Sequence, residues 1–455
     1  MKRTIYISKL LSLLVVASLF LVSCESELET EPAQSISTDV ALGSEENIKN
    51  ILIGVYAEIG NDASLGGSSQ IMADLLGTVD EVSWNGTFAD PREFLNKNIL
   101  VTNGFVEGAW DNNYETINQA NLVIDNISAV ESSQEEADRV EGEAKFLRAM
   151  AYFDLVRLFA PAFEAGQANT QLGVPLRLQG ITDFSQDLDI ARSSVADVYN
   201  QIISDLNDAY SLLPADNAEF ADRYSAQALL ARVYFQQGNY AAARDAADDV
   251  LTNSGHALAA SFDGAFNNDA DGVEDLFTLQ VTNQSGDNDF IVFYASQSNG
   301  GRGGDISIEQ AYLDLFDDPA DFRLSFNYIS PDNGLILTSK YTNQFGNVPV
   351  LRIGEMHLIR AESNFREGTS IGLDPLVEIN ALRGRSNAGP LAALDLDVFF
   401  NERQLELAFE GHLIHDVKRT QGTIGGLSWN DASLVLPIPQ SEMDTNGLME
   451  QNAGY

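Results

Sequence analysis

Residues Ser225–Leu251, SAQALLARVYFQQGNYAAARDAADDVL, read as two amphipathic helices joined by a tight turn. Leu229, Leu230, Val233 and Tyr234 form an apolar stripe at helical spacing in the first. Gly238-Asn239 breaks the period, as a helix end calls for a residue that tolerates positive φ. The second helix is alanine-rich (Ala241, Ala242, Ala243, Ala246, Ala247), so a neighbouring helix can approach closely. Small and aromatic residues fall in the order Ala231-x2-Tyr234-x3-Gly238-x-Tyr240-x2-Ala243-x3-Ala247.

That order resembles a tetratricopeptide repeat, with small residues at helix crossings and aromatics beside them. Ala231-x2-Tyr234-Phe235 is echoed by Ala149-x2-Tyr152-Phe153 and by Ala361-x2-Asn364-Phe365, the last followed by Gly368. Any amphipathic helix can carry such residues. Two echoes, one with its glycine, favour a divergent array whose units stack because none buries its apolar face alone. The expected fold is mainly α: a helical repeat scaffold with an irregular, loop-rich lobe at about residues 253–349 and short strands. Such a scaffold names no chemistry.

Outward from the repeat, Ser44 caps a helix that Gly60 closes, with Glu45 and Glu46 at its positive end. Residues 61–108 read as loop. Helices are expected over 110–127, 135–159 (ended by Pro161) and from Ser194 to Leu213, stopped by Pro214. Short strands are expected at 274–281 and 335–341. Helices resume at 351–367, 374–383 and 398–418.

The 455 residues are ample for a sizeable core. There are 67 Asp and Glu against 26 Lys and Arg, a net charge of −41. That repels phosphates over most of the surface, so no nucleic-acid partner is expected. The single cysteine, Cys24, excludes an intramolecular disulfide and a Cys-based metal site. Residues 1–23 carry Lys2, Arg3 and Lys9 before the apolar run Leu10–Val22, which reads as an export signal. Leu21-Val22-Ser23-Cys24 looks like a bacterial lipobox, with Cys24 as the lipidated residue. One acyl chain binds membranes only marginally, so several are needed for a lasting anchor. Residues 24–42 have the polar, acidic composition of a flexible tether.

Taken in order, the later signatures resemble the SusD/RagB family of outer-membrane nutrient-binding lipoproteins. The lipobox agrees, as does Trp110…Tyr114…Ile117…Asn121. Arg192-Ser193-Ser194-Val195 with Val198-Tyr199 and Asp205-Leu206 is similar to the family's central helix. Leu351-Arg352-Ile353-Gly354-Glu355, Asn380-x2-Arg383-x-Arg385 and Glu406–His412…Asp416-Val417-Lys418-Arg419 resemble its late signatures. Leu436-Pro437-Ile438-Pro439…Gln451-Asn452-x-Gly454-Tyr455 resembles its ending. Leu413 departs from the pattern, where an arginine often stands. The resemblance implies one SusD-like domain over 43–455, tethered to the outer leaflet of the outer membrane and facing the cell surface. It implies a SusC-like TonB-dependent transporter as partner, with oligosaccharides or, in some relatives, peptides as ligands. It also implies a ligand platform built from early loops and loops of the late lobe.

The residues name no catalytic site, cofactor or metal. Gly368-Thr369-Ser370-Ile371-Gly372 fits G-x-S-x-G, but a helix precedes it where a nucleophile elbow needs a strand. His412-x2-His415 lacks a third ligand at sensible spacing. The acidic loop Asn267–Asp271 offers oxygens that could suit calcium, without EF-hand spacing. Arg383, Arg385, Glu406, Glu410, Asp416 and Arg419 are read as ion pairs pinning helices together. Sugar binding calls for an exposed ring to cover the C–H face of a pyranose, and for polar groups to meet its hydroxyls. Trp84-Asn85 offers both, with Asp74, Asp80 and Phe88 nearby, and Tyr294 and Arg302 stand in the late lobe. Trp84 has a second reading, as a plug that packs its loop against the core.

Overall fold

The computed structural model describes residues 42–282 and 288–455. The expected signal, Cys24 and nearly all of the tether lie outside the described residues.

Serine hydroxyls cap three of the helix starts, Ser44 among them as the sequence predicts. α1 (Glu45–Ile59) opens at Ser44, whose Oγ accepts a hydrogen bond from Asn47 N at 3.3 Å, and closes at Gly60. α2 (Ser68–Gly77) and α3 (Gly104–Asp125) follow, then α4 (Gln134–Phe159), capped by Ser133 and stopped two residues before Pro161. α5 (Val195–Leu212) starts at Ser194, whose Oγ accepts from Asp197 N at 3.1 Å. The repeat stretch forms α6 (Arg223–Gln236) and α7 (Tyr240–Asn253), with Gly238 between them at φ +71°. α8 (Ile353–Glu367), α9 (Pro375–Arg385), α10 (Leu396–Glu406) and α11 (Leu413–Thr420) complete the long elements.

Neighbours in the array pack in chain order: α1 on α3, α3 on α4, α4 on α5, α5 on α6, α6 on α7 and α7 on α8. The alanines explain the close approach of α7, with Ala243, Ala246 and Ala247 all buried. Ala149, Ala231 and Ala361, the first residues of the three matching segments, are fully buried on α4, α6 and α8. Arg148 on α4 pairs with Asp205 on α5 at 2.7 Å and donates to Asn121 on α3, so one guanidinium locks three helices.

Residues 61–108 are more ordered than the sequence predicts. They hold α2, a short helix (Asp90–Leu95) and strand β1 (Val82–Trp84). α2 is buried on nearly every residue, so it has no polar face and shows no amphipathic period. The strand expected at 274–281 is β2 (Asp275–Leu279), followed by β3 (Ile306–Ile308), β4 (Asn327–Ile329), β5 (Ile336–Thr338) and β6 (Val348–Arg352). They pair antiparallel as β1–β3, β2–β6 and β4–β5. Two expectations at the late end are corrected. Leu351 and Arg352 end β6 instead of opening α8. The helix expected over 398–418 is two, α10 and α11, broken at 407–412, where Phe409 has φ +64° and Gly411 φ +78°. Buried Lys340 accounts for part of this break. Its Nζ donates to the carbonyls of Glu406 (3.0 Å) and Ala408 (2.9 Å), which a continuous helix would have used itself.

Candidate functional site

The residues that the sequence offers for ligand contact divide into a buried set and an exposed set. β1 pairs with β3 so that Trp84 lies opposite Ile306 and Val82 opposite Ile308. This brings the turn after β1 beside the turn before β3. Asn85 N donates to Asp305 O at 2.6 Å, and Asn85 Nδ2 to Ser307 Oγ at 2.9 Å. Arg302 donates to Thr87 Oγ1 at 3.2 Å and pairs with Asp305 at 3.3 Å. Its guanidinium lies 3.9 Å from the centroid of Phe88. Phe88 is 43% exposed. Burial pushes the Asp305 carboxyl up from its ordinary range, against the pull of Arg302. The early region and the late lobe thus meet in one patch: Asn85, Thr87, Phe88 and Arg302.

Trp84 is placed beneath this patch. It stands on a strand and is 7% exposed, its Nε1 donating to Phe88 O at 3.0 Å and its ring 5.6 Å from Phe293. The stacking-platform reading of Trp84 gives way to the plug reading, because Phe293 and the Gly86 backbone occupy its surroundings. A Cβ on Gly86 would lie 2.5 Å from the indole, so only glycine lets the chain pass there. Asp74 and Tyr294 are also corrected. Asp74 lies on α2, 5% exposed, and accepts from Tyr294 OH at 2.8 Å and from Gly411 N at 2.9 Å. Burial pushes its carboxyl up to about 7, against these two hydrogen bonds. The pair ties α2 to the lobe and to the α10–α11 break, and both side chains are buried. Asp80 is exposed in the turn before β1, its N–H donating to Glu81 Oε2 at 3.1 Å, and no bond joins it to the patch among the described residues.

Thr87, Phe293 and Asp305 belong to the patch and were missed from the sequence. Phe293 is the ring on which it rests, 5.6–6.2 Å from Trp84, Phe105 and Phe88. The one available signal was the alternation Val82-Ser83-Trp84, buried, half-buried, buried, which marks a strand.

The late arginines and acids form a buried network. Arg352 donates to Glu406 at 2.7 Å and to Glu410 at 2.8 Å, and stands 3.5 Å from Glu274. Arg385 bridges Glu274 and Glu406. Arg323 pairs with Asp321 and Glu402, Arg383 with Glu402 and Asp317. Arg419 joins Asp416 to Glu362. Burial works against the ionised form of Glu406; Arg385, Arg352 and Arg323 overcome it and hold the carboxyl below its usual range. These groups pin helices, as the sequence predicts. Gly368–Gly372 is a turn between α8 and α9, organised by Asn364 Oδ1, which accepts from Ile371 N and Thr369 Oγ1. Burial, followed by nearby cations, holds His412 and His415 well below the ordinary imidazole range. In the acidic loop, Asp271 already accepts from Thr278, Gln280 and Asn347. Among the described residues no group of three or more His, Cys, Asp and Glu is arranged to hold a metal ion.

Comparison with known proteins places this architecture. A family profile described as "Starch-binding associating with outer membrane" matches residues 28–235, and one described as "SusD family" matches 326–434. The chain is 25% identical to the "SusD-like protein P2" of Formosa agariphila, over 97% of this chain and 98% of that one. It superposes on a protein of Bacteroides vulgatus with a TM-score of 0.81 at 26% identity, over 91% of this chain and 99% of that one. A "Laminarin binding SusD-like protein" superposes at 0.75 with 22% identity, over 90% of this chain and all of that one. No described helix is long and apolar enough to cross a membrane. Profiles, relatives and fold agree: the chain belongs to the SusD/RagB family.

Proposed function

We propose that the protein captures oligosaccharides at the cell surface and hands them to a SusC-like TonB-dependent transporter, without chemical change to the ligand. The observation that carries this reading is the exposed patch of Asn85, Thr87, Phe88 and Arg302. Its ring can lie against the C–H face of a pyranose, while an amide, a hydroxyl and a guanidinium stand at the rim for the hydroxyls. The laminarin-binding relative of the same fold supports a glycan over other ligands. Several acyl chains carried by a lipidated Cys24 would hold the protein at the outer membrane, with the domain 43–455 facing outward.

The test is calorimetric titration with a panel of oligosaccharides and peptides. A glycan should bind without product release, and Phe88→Ala and Arg302→Ala should each weaken it by ~1–3 kcal/mol, on the scale of base–aromatic stacking. That is roughly tenfold to over a hundredfold in Kd. Binding of peptides alone, or steady product release, overturns the reading. Mass spectrometry of an unmodified Cys24 in the mature N-terminal peptide would remove the anchor.

A further inference from the structure

A second cleft, sharing no residue with the Phe88 patch, opens between the α6–α7 turn, the C-terminal ends of α8 and α11 and the start of α10. It encloses about 600 Å³, within the usual range of ligand sites. Phe163, Tyr240 and Phe400 contribute its aromatic walls. Two of these rings are held in place. The Arg366 guanidinium lies 4.5 Å from the centroid of Tyr240, and Phe163 packs on Tyr199 at 5.0 Å.

The polar lining holds three glutamines, two threonines, two arginines and Asp397. Gln237 and Gln421 line the cleft, and among the described residues their side chains make no hydrogen bond. Gln421 is the residue that closes α11, at φ +57°. Glycine takes that conformation without strain, so a glutamine there keeps its amide at the cleft at a conformational cost. The two arginines of the lining are already ion-paired. Arg366 pairs with Glu362 at 2.7 Å, and Arg419 with Glu362 at 2.8 Å and Asp416 at 3.0 Å. With Arg403, which shares Asp416 at 2.9 Å, three guanidiniums meet two carboxylates, and Asp397 in the lining brings the local sum to neutral; the chain's net charge of −41 repels an anion. Aromatic walls, unpaired amides and local neutrality are the chemistry that receives an uncharged sugar.

We propose that this cleft is a second glycan site, selective for short neutral oligosaccharides. The proposal rests on the glycan-capture reading above and extends it. Two sites on one molecule let a long chain bind with an effective concentration that neither site has alone.

The experiment is calorimetric titration of the full chain with laminari-, malto-, cello-, xylo- and mannohexaose, and with an alginate hexauronate as the anionic probe. The variants are Phe88→Ala, the double variant Gln237→Ala/Gln421→Gly, and all three changes together. Both glutamine changes are at solvent-accessible positions, and glycine relieves strain at 421, so a melting curve should match the parent. A neutral hexaose should bind with a stoichiometry of two. The glutamine double variant should lose one event or weaken it at least tenfold, Phe88→Ala should keep that event, and the triple variant should lose both. A single event abolished by Phe88→Ala and untouched in the double variant overturns the second site and leaves glycan capture standing. A single event lost only in the double variant supports the cleft and overturns the patch at Phe88. Hexauronate binding that depends on the glutamines, with no neutral hexaose doing so, overturns the neutral class. No binding of any probe overturns both readings.

Discussion

Arg352 and Arg302 each lie over a phenylalanine, Phe266 at 5.5 Å and Phe88 at 3.9 Å, yet they do opposite work. Arg352 is 2% exposed and enclosed by Glu274, Glu406 and Glu410. Arg302 faces one carboxylate and leaves 34% of its side chain in water. Buried charges cannot fall back on solvent, so pairing there is compulsory and the partners are fixed. A surface guanidinium can trade water for a ligand hydroxyl at little cost. In so acidic a chain, the density of charged residues marks the helix pins, and exposure marks the proposed site.

The sharpest way to break this contrast is Arg352→Ala. It strands buried carboxylates without a counter-charge, and should cost roughly 3–5 kcal/mol, at the upper end because three acids share the arginine. Denaturant midpoints measure it, and a cost below about 1 kcal/mol would mean that the network is dispensable. Trp84→Ala comes next, at about 3 kcal/mol, because a buried ring leaves a cavity. A variant as stable as the parent but unable to bind glycan would restore Trp84 to the binding surface.

The third effect is one of pH. Asp74 is raised in the folded state to about 7 from an ordinary 3.8. Between these values the folded protein holds a proton that the unfolded chain has released, so stability is full below pH 4 and is lost as pH rises through 7. The loss between pH 5 and pH 7 should be roughly 2 kcal/mol, and Asp74→Asn should flatten it. Asp289, raised by burial to about 7, adds a slope of the same sign that the variant keeps. Melting temperatures at both pH values decide it, and an unchanged slope in Asp74→Asn would sink the assignment. The smallest effect is that of Phe88→Ala on stability, within about 0.5 kcal/mol, as for an ordinary surface substitution. A larger loss in a thermal melt would class Phe88 with Trp84 and leave the patch without its exposed ring.

The helical array was legible because its signals are local. Gly238, Ser44, Ser133 and Ser194 act within a few residues of themselves, and the alanines of α7 announce close packing by their size alone. The late acid and arginine signatures were legible as helix pins because most fall on helices; Glu410 stands in the break at 407–412 and Arg352 ends β6. The site was only half legible. Asn85, Phe88 and Arg302 do come together, but Trp84, Asp74 and Tyr294 are buried by partners that no local pattern reveals. Asp74 sits on a helix with no polar face, and the break at 407–412 depends on Lys340, some 70 positions earlier.

The pairing of β1 with β3 has a consequence for timing. Asn85 and Ser307 are 222 positions apart. Closing a loop of that length exacts its entropy before the short strands return anything. The helices between them form from contacts within or next to one another, so they are free to assemble first. The patch at Phe88 is therefore among the last features to form as the chain folds. A molecule halted partway would carry a finished scaffold and no binding face, and ligand affinity would report on complete folding more faithfully than helix content does.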